Sequence, residues 1–169
     1  MSRDINSKFW DEKLETQPRE ELEKKQLEDL KEIVKFAYDN APYYKRSFDE
    51  AGVKPEDIKT LKDLEKFPFI NKKTQRDTQG VGSFLGELAA VPEEDVVFIS
   101  TSSGSTGVPT MSPFTKKDFD EFQDTESRWF WQVGMRPNDR YVHALNFSLY
   151  VGGPDVIGAQ NLGALCIWG

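Results

Sequence analysis

Apolar positions recur at helical spacing across residues 20–40, where Leu22, Leu27, Leu30, Ile33, Val34 and Ala37 are separated by charged side chains. Asn40 and Pro42 stop this helix. Shorter segments follow. Lys54-Pro55-Glu56-Asp57 and Phe67-Pro68 mark turns, Thr60 with Asp63 three residues on caps a short helix, and the glycines at 80, 82 and 86 make 79–88 a loop. Beyond residue 90 the pattern changes. Strand signals at 96–100, 111–115, 140–145 and 164–167 alternate with helical ones at 117–134 and 155–162. In the 117–134 helix, Phe119, Phe122, Phe130 and Val133 fall on or near one face. The strand–helix–strand order from Arg140 onward predicts a βαβ unit with parallel pairing. The fold class is therefore α/β: a helical and irregular section, 1–90, followed by the first β/α units of a layered domain, 91–169.

Composition narrows the class. Hydrophobic residues make up 37% and charged residues 30%, which excludes wholesale disorder. The net charge of −7 argues against a nucleic-acid-binding role, which needs a basic surface. Charges run throughout 1–31, without a secretory pattern, and no apolar run approaches the ~18–20 residues of a membrane span. A cytoplasmic protein with no membrane partner is expected. The single Cys166 has apolar neighbours and reads as a buried thiol.

The chemistry concentrates in Ser102-Ser103-Gly104-Ser105-Thr106-Gly107, which follows the 96–100 strand signal. Glycines let such a loop turn tightly around an anion, and hydroxyls add donors that rotate to suit phosphate oxygens. The run reads either as a nucleotide-phosphate loop or as an ordinary Ser/Gly linker. It is not a Walker A motif, since no Lys follows Gly107, and it is not a G-x-G-x-x-G fingerprint.

With Val108 and Pro109 the run resembles the phosphate-binding signature of adenylate-forming enzymes. The resemblance extends along the chain. Tyr38-Asp39-Asn40-Ala41-Pro42, Phe67-Pro68-Phe69-Ile70-Asn71-Lys72, Leu149-Tyr150-Val151-Gly152-Gly153 and Gly158-Ala159-Gln160-Asn161-Leu162-Gly163-Ala164 are similar, in order, to stretches of the phenylacetate–CoA ligases. It covers about 9–169.

This resemblance implies ATP-dependent activation of an aromatic carboxylic acid to an acyl-adenylate, then transfer of the acyl group to coenzyme A. Ser102, Ser103, Gly104, Ser105, Thr106 and Gly107 would form the ATP phosphate loop, with Thr106 the catalytic donor. Loop N–H groups and Mg²⁺ would hold the polyanion despite the acidic chain. Leu145, Phe147, Tyr150, Gly152 and Gly153 would line the acid pocket. Two departures stand out. Many adenylating enzymes carry Lys at one of the positions filled here by Val108 and Thr110, although Thr110 itself agrees with the phenylacetate–CoA ligases. Leu145, Asn146 and Ser148 replace an aromatic and two glycines, which puts phenylacetate itself in question.

Family members run to well over twice this length, so the chain is expected to be an N-terminal piece, inactive alone. The aromatic-Thr-Glu motif, ribose-binding Asp and lid Lys would lie outside this chain, and a homodimer, or a second polypeptide supplying the missing part, is the expected assembly. An adenylating enzyme with another acceptor, or a non-catalytic remnant or assembly module, remains an alternative. Among the other side chains, His143 reads as a satisfied core or surface histidine rather than a base. No Cys/His cluster suggests a metal centre. The acidic runs, including Asp118, Asp120, Glu121 and Asp124, read as solvated surface, and Trp129-Phe130-Trp131 as core or interface.

Overall fold

The computed structural model describes residues 4–104, 108–147 and 152–168. The chain forms two compact units, one of Gln17–Asp95 and one of Met1–Thr16 with Val96–Gly169, the short helix α1 (Glu12–Glu15) belonging to the second. The change of unit thus falls five residues beyond the 90–91 boundary read from the sequence, and the first sixteen residues group with the later unit.

In the Gln17–Asp95 unit, α2 (Arg19–Asn40) runs directly into α3 (Pro42–Ala51), and Pro42 occupies the first turn of α3, where its missing N–H costs nothing. Two 3₁₀ turns follow, Pro55–Asp57 and Leu61–Lys66, then α4 (Lys72–Thr78). Asp63 Oδ2 accepts from the Thr60 N–H at 2.7 Å and from its hydroxyl at 2.9 Å, which anchors the second 3₁₀ turn as its sequence implied. The Lys66 ammonium, 2.7 Å away, and these donors hold the Asp63 carboxyl well below the usual carboxylate range. Val34, Phe48, Ile58 and Phe67 make the core, with the Phe48 and Phe67 rings edge to face at 4.9 Å. Leu27 and Leu30 pack against this core from α2, whereas Ile33 is exposed. The apolar stripe is narrower than its periodicity suggested, because only two short elements and α3 are available to cover it. Arg46 pairs bidentately with Glu87 at 2.9 and 3.1 Å and ties the loop after α4 to α3.

In the other unit, β1 (Val96–Thr101) and β2 (Met111–Thr115) form an antiparallel hairpin, and α5 (Lys116–Gln132) follows at once. Thr115 and Asp118 cap α5 reciprocally, the Asp118 N–H donating to Thr115 Oγ1 at 3.2 Å and the Thr115 N–H to Asp118 Oδ2 at 3.0 Å. Strand β3 (Arg140–His143), α6 (Gly152–Leu162) and β4 (Leu165–Trp168) form the expected βαβ unit, with β3 and β4 parallel. β3 stops at His143, shorter than the 140–145 reading.

Helix α5 packs on α6 at close range. A Cβ at Gly158 would lie 2.4 Å from Glu126 Cβ, so only glycine permits this contact. Ser127 Oγ lies 2.9 Å from the carbonyl oxygens of Gln123 and Gly158 and accepts from Asn161 Nδ2, so this hydroxyl is satisfied at the buried crossing. Trp10, Phe130, Trp131, Ala159, Leu162 and Ala164 make the core. Trp10 packs edge to face on Trp131 at 5.7 Å and donates Nε1–H to Asp124 at 2.8 Å. This explains why the first residues join this unit, and it gives Asp124 a structural role beyond solvated surface. Trp129 and Val133 are exposed, unlike their helix neighbours Phe130 and Trp131. Cys166 is half-buried rather than buried, with Sγ 3.5 Å from the Val156 carbonyl, and burial pushes its thiol pKa up.

Candidate functional site

The described part of the phosphate-loop run, 102–104, follows directly on the last rung of the β1–β2 hairpin. Thr101 pairs with Met111 at the last rung. Past it, the Ser102 N–H donates to the Thr110 carbonyl at 3.0 Å, and the Thr110 N–H donates back to Ser102 Oγ at 3.0 Å. The two hydroxyls also lie 3.0 Å apart. Thr110 is buried, so the base of the loop is closed by paired polar groups. Ser102 is therefore bound to Thr110 through both backbone and side chain. Ser103 is exposed. Gly104 takes φ +66°, a left-handed turn that a side chain at this position would strain. Ser105, Thr106 and Gly107 lie outside the described residues. Val108 is 67% exposed and adds no charge. The loop leads into a strand, not a helix, so no helix dipole stands behind it, and binding of an anion would rest on loop N–H groups and hydroxyls.

The acid-pocket candidates cluster where β3 ends and α6 begins. Leu145 is 56% and Phe147 39% exposed. Tyr150 lies outside the described residues. Gly152 and Gly153 are not loop glycines: α6 starts at Gly152, three residues before the expected start, with Pro154 in its first turn, where proline is tolerated. Both glycines are buried against the chain's own backbone. A Cβ at Gly152 would stand 2.0 Å from the Asn146 carbonyl oxygen, and one at Gly153 would stand 2.8 Å from that of Phe147. The close approach these glycines allow is thus between α6 and the segment after β3.

Beneath this segment sit groups that sequence reasoning did not connect. His143 is buried, with Nδ1 3.3 Å from the Tyr141 hydroxyl and Nε2 without a hydrogen-bond partner among the described residues. Its ring meets Trp168 edge to face at 5.9 Å, and Trp168 meets Phe147 at 5.1 Å. Burial pushes the Asp155 carboxyl up, opposed by the nearby His143. Burial also raises Glu126, with the Asp155 charge adding to it. No group of three or more His, Cys, Asp or Glu among the described residues is placed to hold a metal ion. No helix of the described residues is long and apolar enough to cross a membrane. A cavity of about 510 Å³ in the Gln17–Asp95 unit, lined in part by Pro42, Val81, Leu85, Val91 and Glu93, contains none of the predicted site residues.

Phenylacetate–coenzyme A ligases of Escherichia coli K12, Aromatoleum evansii and Thermus thermophilus are each 40% identical over 155, 157 and 151 residues, or 91%, 92% and 89% of this chain. The chain is a relative of the phenylacetate–CoA ligases. It spans about a third of their length, 34%, 34% and 33% respectively. No protein-family model matches it. Crystal structures of 2-hydroxyisobutyryl-CoA ligase superpose over the chain: the postadenylation state with 2-HIB-AMP at TM-score 0.90 and 29% identity, covering 100% of this chain and 36% of that one. The thioesterification state with 2-HIB-AMP and CoA superposes at TM-score 0.88 and 30% identity, covering 99% and 37%. The α/β fold is that of the N-terminal part of an adenylate-forming CoA ligase.

Proposed function

We propose that the polypeptide containing this chain joins a carboxylic acid to coenzyme A at the expense of ATP. The acid's carboxylate attacks the α-phosphorus of ATP, the bond to the β,γ-phosphates breaks, and pyrophosphate leaves. The CoA thiolate then attacks the acyl carbon of the adenylate, the carbon–oxygen bond breaks, and AMP leaves. Residues 102–107 cradle the departing pyrophosphate, with Thr106 donating to it, and Mg²⁺ enters with the nucleotide. Donors aimed at charge that develops in the transition state lower the barrier more than they tighten substrate binding. Phe147, Tyr150 and Leu145 are assigned to the acid, beside the first turn of α6 where Gly152 and Gly153 pack against the segment after β3; we favour an aromatic body for that acid. The groups that hold the ribose and close the site come from sequence beyond the matched third, in the same polypeptide or a second one.

The carrying observation is the closed base of the glycine-rich tip, Ser102 against Thr110, in a chain related throughout to CoA ligases. The experiment is pyrophosphate exchange into ATP by the full polypeptide, screened over carboxylic acids, followed by AMP release with and without CoA. Acid-dependent exchange with CoA-dependent AMP release is the expected result. Acid-dependent exchange with AMP release to another acceptor would redirect the second step. No exchange and no saturable Mg–ATP binding would make the protein a non-catalytic module.

A further inference from the structure

We propose that Trp168 determines which acid is accepted, presenting an aromatic wall to the acyl group, and that buried His143 is the residue positioning it. This inference rests on the acid-activating reading above. His143 and Trp168 are the last paired positions of the parallel strands β3 and β4. They therefore stand at the carboxyl ends of both strands, the end beyond which ligands bind in parallel α/β sheets. Side chains alternate along a strand, so these two share a face with Tyr141 and Cys166, which pack against the core. At the next position along, that face leaves the core: His143 is 2% exposed but Trp168 is 58% exposed.

Trp168 is nevertheless held. The His143 ring meets it at 68° from one side, and the Phe147 ring meets it at 46° from another. Phe147 is itself backed by the start of α6, since a Cβ at Gly153 would sit 3.4 Å from Phe147 Cε2 and Cζ. The row Phe130, Tyr141, His143, Trp168, Phe147 links the core to the surface with successive ring centroids 5.3, 5.8, 5.9 and 5.1 Å apart. Two adjoining exposed rings, braced by a buried third, form an apolar corner for a flat acyl group. A small branched hydroxy acid covers little of such a corner and strands its hydroxyl against it.

The test measures kcat/KM for acid-dependent exchange in the full polypeptide, with phenylacetate and 2-hydroxyisobutyrate as probes. Trp168→Ala is expected to lower kcat/KM for phenylacetate by about 10–100-fold, mainly through KM, and to lower the phenylacetate preference by at least about tenfold. The KM for ATP is expected to stay within about threefold, and Trp168→Phe to restore most of the preference. Trp168→Leu keeps apolar bulk without a ring and gives the same readout if the alanine variant does not fold. His143→Ala should reproduce part of the loss, and adding it to Trp168→Ala should cost nothing further in preference, because it acts through Trp168. Unchanged preference in Trp168→Ala or Trp168→Leu, with an active unaltered enzyme, overturns this inference alone. No exchange with any acid in the unaltered enzyme overturns the acid-activating reading and this inference with it.

Discussion

Ser102 and Thr110 close the hairpin tip on each other, each donating its backbone N–H to the other residue at 3.0 Å, one to a carbonyl and one to a hydroxyl. Ser102→Ala removes the acceptor of the buried Thr110 N–H and of its hydroxyl. The cost is expected to be about 1–2 kcal/mol. Thermal melting should show this as a fall in Tm of about 2–8 °C. In the full polypeptide the same variant should raise the KM for ATP, since the tip loses its fixed base. An unchanged Tm would mean that the clasp does not form.

Thr106 is the proposed donor to the transferring phosphates. Thr106→Val keeps its shape and removes its hydroxyl. Acid-dependent pyrophosphate release by the full polypeptide should slow by about 10–1000-fold. A rate within twofold of the parent would remove Thr106 from the site.

Gly152 lies where α6 meets the backbone after β3. Gly152→Ala forces its Cβ into the Asn146 carbonyl, which stands 2.0 Å from that position, and rigid backbone cannot yield as a side-chain tip would. The expected destabilisation is about 1–3 kcal/mol, read by denaturant titration. A Gly152 needed only for ligand approach would leave stability unchanged on substitution.

Glu126 carries a raised carboxyl, chiefly through burial and then through Asp155. Folding therefore favours its protonated form, and ionisation opposes the folded state. The contribution is most favourable below the ordinary carboxylate range and is lost as pH rises through the raised folded value. Glu126→Gln, which cannot ionise, should raise Tm at neutral pH, and the gain should shrink as the solution is acidified. A gain that is independent of pH would point to packing against Gly158 instead.

Much of this architecture was legible in local patterns. The 3.6-residue period of 20–40 marked α2 within one residue at its start, since a long run of alternating charge and leucine has few other ways to bury its apolar side. The order of strand and helix signals after Arg140 implied the parallel β3–β4 pair, because a helical connection carries the chain back to the end of the sheet where the first strand began. The hydroxyl and glycine content of 102–107 marked that run as a candidate, because its composition suits either a linker or an anion site.

The start of α6 was hidden because Gly152, Gly153 and Pro154 are poor helix formers by propensity, and only the packing of that turn against Asn146 and Phe147 overrides it. The exposure of Ile33 and Val133, both in phase with buried neighbours, depends on what lies opposite.

Neighbouring residues and their spacing carried the order of elements, the α/β class and the kinship to phenylacetate–CoA ligases, and they marked 102–107 as the candidate phosphate loop. Tertiary structure alone decided that Trp10 seats the first residues on Trp131, that Ser102 and Thr110 seal the hairpin tip, and that His143, Trp168 and Phe147 share one corner. The physical reason is one of range. A local pattern says which face of an element is apolar, but only the register of distant strands and the crossing of helices say which partner covers that face.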